Sequence, residues 1–552
     1  MRKSSQQLVF FLVGLVALNL LANVYFKRFD FSADKRYTLS EVSKELLTEA
    51  RSPIVVRVFL AGDLPSNFKR LQLETRYLLE EYAAFNSQIK FSFVNPLADD
   101  ANPETIAGEF YQRGMNPIQI NEVEQGKISE RLLFPWATVR KGDVEIPVKL
   151  YQNRTGVSEE ELIGISIQEL EYQFTDALTK LIKERSKKIA VLRGKGQLKD
   201  AFIADFLSEL KEYYFIAPFD ISKAQEAPEL TLQQLNEFDL ILEAKPEKRY
   251  TEVEKFVLDQ FIMQGGNAVW LIDQVTAEKD SLFKDGLSLA FPKDLNLTDQ
   301  FFSYGVRINP QLVNDLYSVP IILAQGSGSQ TQFNPYPWFY EPLAEAASNH
   351  PIVNNITAVH FNFANPIDIL KSDYQIIPLL ASSPVTKVEG VPREISLEMV
   401  RQQPKPEDYQ SGNQLLAVLV EGEFNSLYKN RVLPAEFTDA IEVGLTSKQV
   451  FISDGDLIKN EVKKGVPQEL GFDFYTGNTY GNKEFLMNVF NYLLGDENLV
   501  ALRNKQLFLA KLDSDKIEAQ SVFWQAFYLG GIPILIFLIY FGVQWQRKRK
   551  YT

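Results

Sequence analysis

The chain has 552 residues, 58 Lys+Arg against 71 Asp+Glu for a net charge of −13, 45% hydrophobic residues, two His and no Cys. At about 150 residues per domain, that length is three or four structural units, with the apolar fraction of a folded chain. The acidic balance argues against a general nucleic-acid binder, and the missing cysteines exclude disulfides, Cys-ligated zinc, iron–sulfur clusters, a thiol nucleophile and a lipoprotein anchor.

Residues 1–27 predict a short cytoplasmic tip and a transmembrane helix. Leu8–Phe26 is an uncharged run of 19 residues behind Arg2 and Lys3, close to the roughly 20 apolar residues that cross a bilayer. Asn19 and Asn23, four apart on one helix face, are candidate contacts with a partner membrane helix. A cleaved signal peptide is the competing reading. Its small-residue signature is poor where Ala22 is followed by Asn23-Val24-Tyr25-Phe26, which favours an uncleaved anchor.

Residues 28–187 read as a thioredoxin-like domain. Ser40 is a candidate N-cap for a helix over 41–50. Strands follow at 54–60 and 89–94, with a helix over 67–85 between them. A short helix is expected at 105–112, strands at 118–120, 132–140 and 144–150, and a long helix over 166–183. The Asn116-Pro117 bond precedes a strand where thioredoxin-like folds use a cis proline, an ordinary trans turn being the alternative. Without a C-x-x-C pair the shape serves contact rather than redox chemistry.

Residues 188–515 read as a second α/β domain, doubly wound and flavodoxin-like or amidotransferase-like. Strands at 189–192, 239–242 and 268–272 alternate with helices at 201–213 and 251–263, which implies parallel strands with right-handed crossovers. Later strands are expected at 376–380, 415–420 and 449–452, with a closing helix at 484–494. A long insertion occupies about 277–372 and carries a Gly/Ser/Gln-rich stretch, Gln325–Gln332, of the composition of a mobile loop. Residues 516–552 end the chain with a second uncharged run, Val522–Val543, containing Gly530, Gly531 and Pro533. Gly530 and Gly531 are candidate helix-contact positions, since small residues let membrane helices approach closely. Arg547, Lys548, Arg549 and Lys550 follow at once and set that end in the cytoplasm. The expected topology is a two-pass inner-membrane protein with both termini cytoplasmic and the bulk periplasmic. Lys27, Arg28, Lys35 and Arg36 oppose it by simple charge count.

The candidate chemistry is thin. Gly194-x-Gly196 after a strand lacks the third glycine of a dinucleotide fingerprint and the Gly-Lys-Ser/Thr ending of a P-loop. Any ATP-binding function therefore belongs to a separate chain, and no cofactor or metal is expected. Asp454 and Asp456 flank a glycine after a predicted strand, where α/β sheets place ligands, although Asp-Gly is also a common turn. His350 and His360 have neither the spacing nor the neighbours of a metal or catalytic pair. Tyr336, Trp338 and Phe339 form the densest aromatic cluster, a ligand or partner platform if exposed and a local core if buried.

The order of these features resembles one family. They are the N-terminal anchor, the segment from Asp30 through Lys35-Arg36-Tyr37-Thr38-Leu39-Ser40, Tyr336-Pro337-Trp338, Asn349-His350-Pro351-Ile352, Asp454-Gly455-Asp456, and Leu502-Arg503-Asn504-Lys505 before the final helix. Together they resemble the gliding-motility-associated ABC-transporter auxiliary proteins (GldG) of Bacteroidota. The resemblance implies a non-enzymatic inner-membrane subunit working with a permease and a separate ATP-binding subunit, its outer domain binding cargo or an envelope protein. It supplies no catalytic residues. A membrane-tethered carboxylate enzyme acting on glycans or peptides, with Asp454 and Asp456 as its acids, is the alternative.

Overall fold

The computed structural model describes residues 38–98, 102–124, 127–152, 157–326, 331–495 and 514–551, together with Phe11, Gly14 and Leu502. Apart from Phe11 and Gly14, the expected first membrane helix, with Asn19 and Asn23, lies outside the described residues. The chain forms two compact units, Met1–Gln506 and Leu507–Thr552.

The first sheet begins the larger unit. Its strands are β1 (Ile54–Val58), β2 (Ile89–Phe93), β5 (Trp136–Lys141) and β6 (Val144–Lys149), in the order β2-β1-β5-β6. β1 runs parallel to β2, and β5 runs antiparallel to both β1 and β6. The separate hairpin β3 (Ile118–Glu124) and β4 (Lys127–Leu133) is inserted before β5. Alternation decides what each face meets. In β1, Ile54, Val56 and Val58 are buried while Val55 and Arg57 are exposed, as a period of two requires. The apolar face packs on α1 (Glu41–Glu49), α2 (Ser66–Phe85) and α4 (Glu159–Ile182) through Leu47, Phe68, Leu71, Tyr82, Leu170 and Phe174. The helix starts are capped as polar side chains dictate: Ser40 accepts from the Ser43 N–H, and Ser158 from the Glu161 N–H. The short α3 (Pro103–Gln112) packs Phe110 on Phe59 and Phe134. The Asn116–Pro117 bond is trans; the cis bond among the described residues is Val391–Pro392.

The second sheet holds eleven strands. Five are parallel: β7 (Lys188–Arg193), β8 (Phe215–Asp220), β9 (Leu240–Ala244), β10 (Asn267–Leu271) and β13 (Val443–Ile452), in the order β8-β7-β9-β10-β13. Beyond β13 the sheet turns antiparallel through β12 (Leu415–Asn425) and β11 (Gln375–Ala381). β9 reads Leu-Ile-Leu-Glu-Ala with every residue buried, the signature of a strand covered on both faces. Ile189, Val191, Leu240 and Leu242 face α5 (Asp200–Leu210) and α8 (Asn482–Leu493); Ala190, Leu192, Ile241 and Trp270 face α6 (Pro228–Leu235) and α7 (Glu252–Met263). A capping box between Thr251 and Glu254 starts α7. β8 and α6 were not foreseen; Ala-Pro inside β8 hides it from a strand search, and it runs at the sheet edge, where a missing N–H is tolerated.

The expected insertion forms strands and a small core, and residues 327–330 of the expected mobile loop Gln325–Gln332 lie outside the described residues. It contributes Leu343–Ala346 and Val359–His360 to the sheet, plus small β-pairs that enclose a core of Leu312, Ile321, Trp338, Tyr340 and Phe363.

In the smaller unit, Gln520–Arg549 is one apolar helix of 30 residues, unburied and long enough to cross a membrane. A π-helical segment, Phe527–Gly531, interrupts it. Pro533 supplies the reason: it has no N–H for the Leu529 carbonyl and its ring crowds that turn.

Candidate functional site

The carboxyl ends of β7, β9, β10 and β13 open on one edge of the large sheet. Strand order reverses beside β7, and such an edge is where open α/β sheets bind ligands. Asp454 and Asp456 follow β13 and meet Asp273, which follows β10. Asp454 is fully buried; its Oδ2 accepts the Asn362 N–H at 2.7 Å and its Oδ1 the Asp456 N–H at 2.7 Å. Asp273 Oδ1 accepts the Gly455 N–H at 2.5 Å.

One cation binds the group together. Lys245 Nζ lies 2.6 Å from Asp456, 3.0 Å from Glu278 and 3.7 Å from Asp273. Lys245 follows β9 with φ +54°, a conformation rare outside glycine, and only 5% of its side chain is exposed. A Cβ on Gly455 would fall 2.7 Å from Lys245 Cβ and 3.0 Å from Asp273 Oδ2, so glycine is what lets the β13 turn close over the lysine.

Burial and crowding by Asp273 and Asp456 push Asp454 well above the carboxylate range. Asp273 is pushed up to about 6, burial outweighing the opposing Lys245 charge. Burial works against the Lys245 charge, but Asp456, Asp273 and Glu278 outweigh it and hold the ammonium protonated. The arrangement is a cluster of buried acids around one ammonium. Among the described residues no group of three or more acids or imidazoles is arranged to hold a metal ion.

The glycine loop Gly194-Lys195-Gly196 lies beside this cluster with φ +100° and +77° at its glycines. Its own side chains close it. The Lys195 N–H donates to Gln197 Oε1 at 2.9 Å, and Lys195 Nζ pairs with Glu254. Beneath it Glu243, pushed up to about 7 by burial, accepts from Tyr250 Oη and Gln197 Nε2.

The remaining sequence candidates separate. Trp338 is 2% exposed and packs on Tyr340 with ring centroids 5.4 Å apart; its ring is core and presents no platform. Tyr336 is half-buried and bonded to Gln325, and Phe339 is half-buried against Tyr409. The exposed aromatic pair nearby is Phe333 with Tyr475, 5.2 Å apart, which the sequence did not single out. His360 Nε2 lies 2.9 Å from Glu341 Oε2, with Lys279 2.6 Å from the other oxygen. Although burial opposes it, the Lys279 charge and the hydrogen bond with His360 hold the Glu341 carboxyl down at about 2. His350 Nδ1 accepts the Ile352 N–H at 3.3 Å, and its ring meets Tyr492 edge-on. Gly530 and Gly531 fall in the π-helical segment. Arg547, Lys548 and Arg549 are exposed on the last helical turns, and Lys550 continues that helix.

Lys245, Asp273, Glu278 and Glu243 escaped the sequence reading. One signal was present: a Glu within the otherwise apolar run Leu240–Ala244 must be buried with partners.

Residues 186–489, more than half of the chain, match the family described as an ABC-type uncharacterized transport system, and residues 33–140 match a domain of unknown function (DUF7088). The chain belongs to this family of auxiliary components of ABC-type transport systems. The first match spans the strands of the large sheet, and the second covers the small sheet only as far as β5, ending before β6. An uncharacterized protein of Borreliella burgdorferi is 22% identical over 98% of this chain and 96% of its own length. Solved structures with some likeness include the mmIFT52 N-terminal domain (13% identity, 56% of this chain, 98% of that chain, TM-score 0.32). Another is a cytoplasmic protein of Salmonella typhimurium (10% identity, 56% of this chain, 99% of that chain, TM-score 0.26).

Proposed function

We propose that the chain is a non-enzymatic subunit of an ABC transporter, anchored in the inner membrane beside a permease and a separate ATP-binding subunit. The family match over the large sheet carries this reading. The exposed apolar helix followed by Arg547–Lys550 supports membrane anchoring with a cytoplasmic C-terminus. The order β2-β1-β5-β6, with its parallel and antiparallel pairings, supports a thioredoxin-like first domain, and the order β8-β7-β9-β10-β13 supports a flavodoxin-like second one. Both lie in the periplasm under this reading and engage cargo or an envelope protein. The sequence motifs extend it to gliding motility. At the ligand edge, Lys245 neutralises Asp456 and backbone N–H groups occupy both oxygens of Asp454, which favours a binding role over acid–base catalysis by this pair.

Crosslinking in native membranes followed by mild-detergent purification tests the assignment. A permease and an ATPase should co-purify, and their reproducible absence refutes it. A protease added to spheroplasts should cut between the two apolar runs while sparing a tag behind Thr552. Loss of that tag refutes the topology.

A further inference from the structure

The face of the small sheet opposite α1, α2 and α4 carries a groove of about 370 Å³ lined by Pro53, Val55, Arg57, Thr138, Arg140 and Glu145. Register puts its polar groups side by side. Arg57 pairs with Thr138 and Val55 with Arg140 across β1 and β5, so the two guanidiniums are diagonal neighbours on one face, within reach of a single small group. Lys90 of β2 is opposite Val55 on the same face. The face is therefore basic on a chain of net charge −13.

Two observations say that this charge has no carboxylate paired with it among the described residues. The Arg57 side chain makes no hydrogen bond or ion pair among the described residues, and the Arg140 side chain bonds through Nε to the Gly142 carbonyl at 2.8 Å. The groove's one carboxylate, Glu145, stands opposite Arg140 in register but pairs with Arg113, of the turn after α3, at 3.0 Å. The second observation is Thr138. It is 1% exposed, faces the groove by register, and its buried Oγ1 has no hydrogen-bond partner. Leaving such a hydroxyl unpaired is costly unless something outside the chain satisfies it.

We propose that this groove binds a small oxyanion, a carboxylate or phosphate group, held between Arg57 and Arg140 with Thr138 Oγ1 donating to it. A guanidinium fork matches the planar edge of either group, and the hydroxyl supplies a third donor at the floor.

The test is calorimetric titration of the full chain in neutral detergent with inorganic phosphate and, separately, with succinate. Saturable binding of at least one anion is expected. R57Q and R140Q should each weaken it about tenfold or more, the worth of a charged hydrogen bond. R431Q, an exposed cation on the other domain, should leave it unchanged. T138V should melt at least as high as the wild type without anion and lose most of the anion-induced rise in melting temperature. Preference for phosphate over succinate, or the reverse, identifies the natural group. The proposal is overturned if neither anion binds saturably, if R57Q and R140Q bind like R431Q, or if T138V keeps the full anion effect. Because Arg57 and Arg140 are exposed, loss of binding in their variants is separable from misfolding by an unchanged melting temperature in anion-free buffer.

Discussion

Replacing Lys245 by Met removes the ammonium from the carboxyl-edge cluster while keeping a side chain of similar length at the same φ of +54°. Met and Lys share the strain of that conformation, so the difference isolates the charge. Three carboxylates lie within 3.7 Å of Lys245 Nζ, and 5% of the lysine and 9% of the Asp456 side chain are exposed. Breaking a buried pair costs about 3–5 kcal/mol. Lys293 at 3.9 Å from Asp273 and Lys459 at 3.7 Å from Asp456 remain, which argues for the lower end, about 3 kcal/mol. At about 2–4 °C per kcal/mol for a domain of this size, the melting temperature should fall by about 6–12 °C. The pH dependence follows from Asp273 and Asp454, both raised in the folded chain. Acids raised above their unfolded values contribute stability that is full below the unfolded value and lost as pH rises through the folded one. Removing Lys245 raises them further, so the K245M deficit should be large near about pH 8 and shrink toward about pH 5. Adding D456N should recover part of it, as a double-mutant cycle would read. Thermal unfolding of the full chain in neutral detergent, followed by near-ultraviolet circular dichroism, is the assay. A deficit under about 2 °C, or one equal at the two pH values, refutes the charge argument.

Three further outcomes follow from the same structure. G455A places a methyl 2.7 Å from Lys245 Cβ and should cost about 1–3 kcal/mol in denaturant unfolding, as overpacking does. E341Q should flatten the acid limb of the stability curve. Glu341 is held at about 2, so its contribution is present above the unfolded carboxylate value and is lost as pH falls through about 2. An unchanged limb between about pH 5 and pH 2 would remove Glu341 as the responsible group. T251A deletes the side chain that accepts the Glu254 N–H at the start of α7 and should cost about 1 kcal/mol, with faster amide exchange in that helix's first turn.

The elements that repeat locally were legible in the residues. The alternation of strand, helix and strand through 189–272 predicted parallel strands, and β7, β9 and β10 pair in that way. Ser40 was read as a cap and accepts the Ser43 N–H, because a capping preference needs only neighbours. The long α4 starts at Glu159, seven residues before its expected start at Ser166, since its first turn is acidic and gives little apolar periodicity. At the site, Asp454 and Asp456 were visible as a pair, but Lys245, Asp273 and Glu278 stand roughly 180–210 positions away along the chain, and no spacing rule links them. Trp338 shows the converse: an aromatic run suits a surface or a core equally, and only its enclosure by Tyr340 and Phe363 decided for the core.

By itself the sequence determined the composition of the site's chemistry and the apolar run that ends the chain. An absent cysteine stays absent in any fold, and the uncharged residues from Val522 to Val543 form a long apolar helix whatever else the chain does. The tertiary structure alone decided which charges answer each other. It gave the acids of the large sheet a buried lysine and left Arg57 and Arg140 of the small sheet without an ion pair among the described residues. The physical reason is reach: helix and strand periodicity act over a few residues, whereas a buried charge is satisfied by whatever strand the topology places beside it.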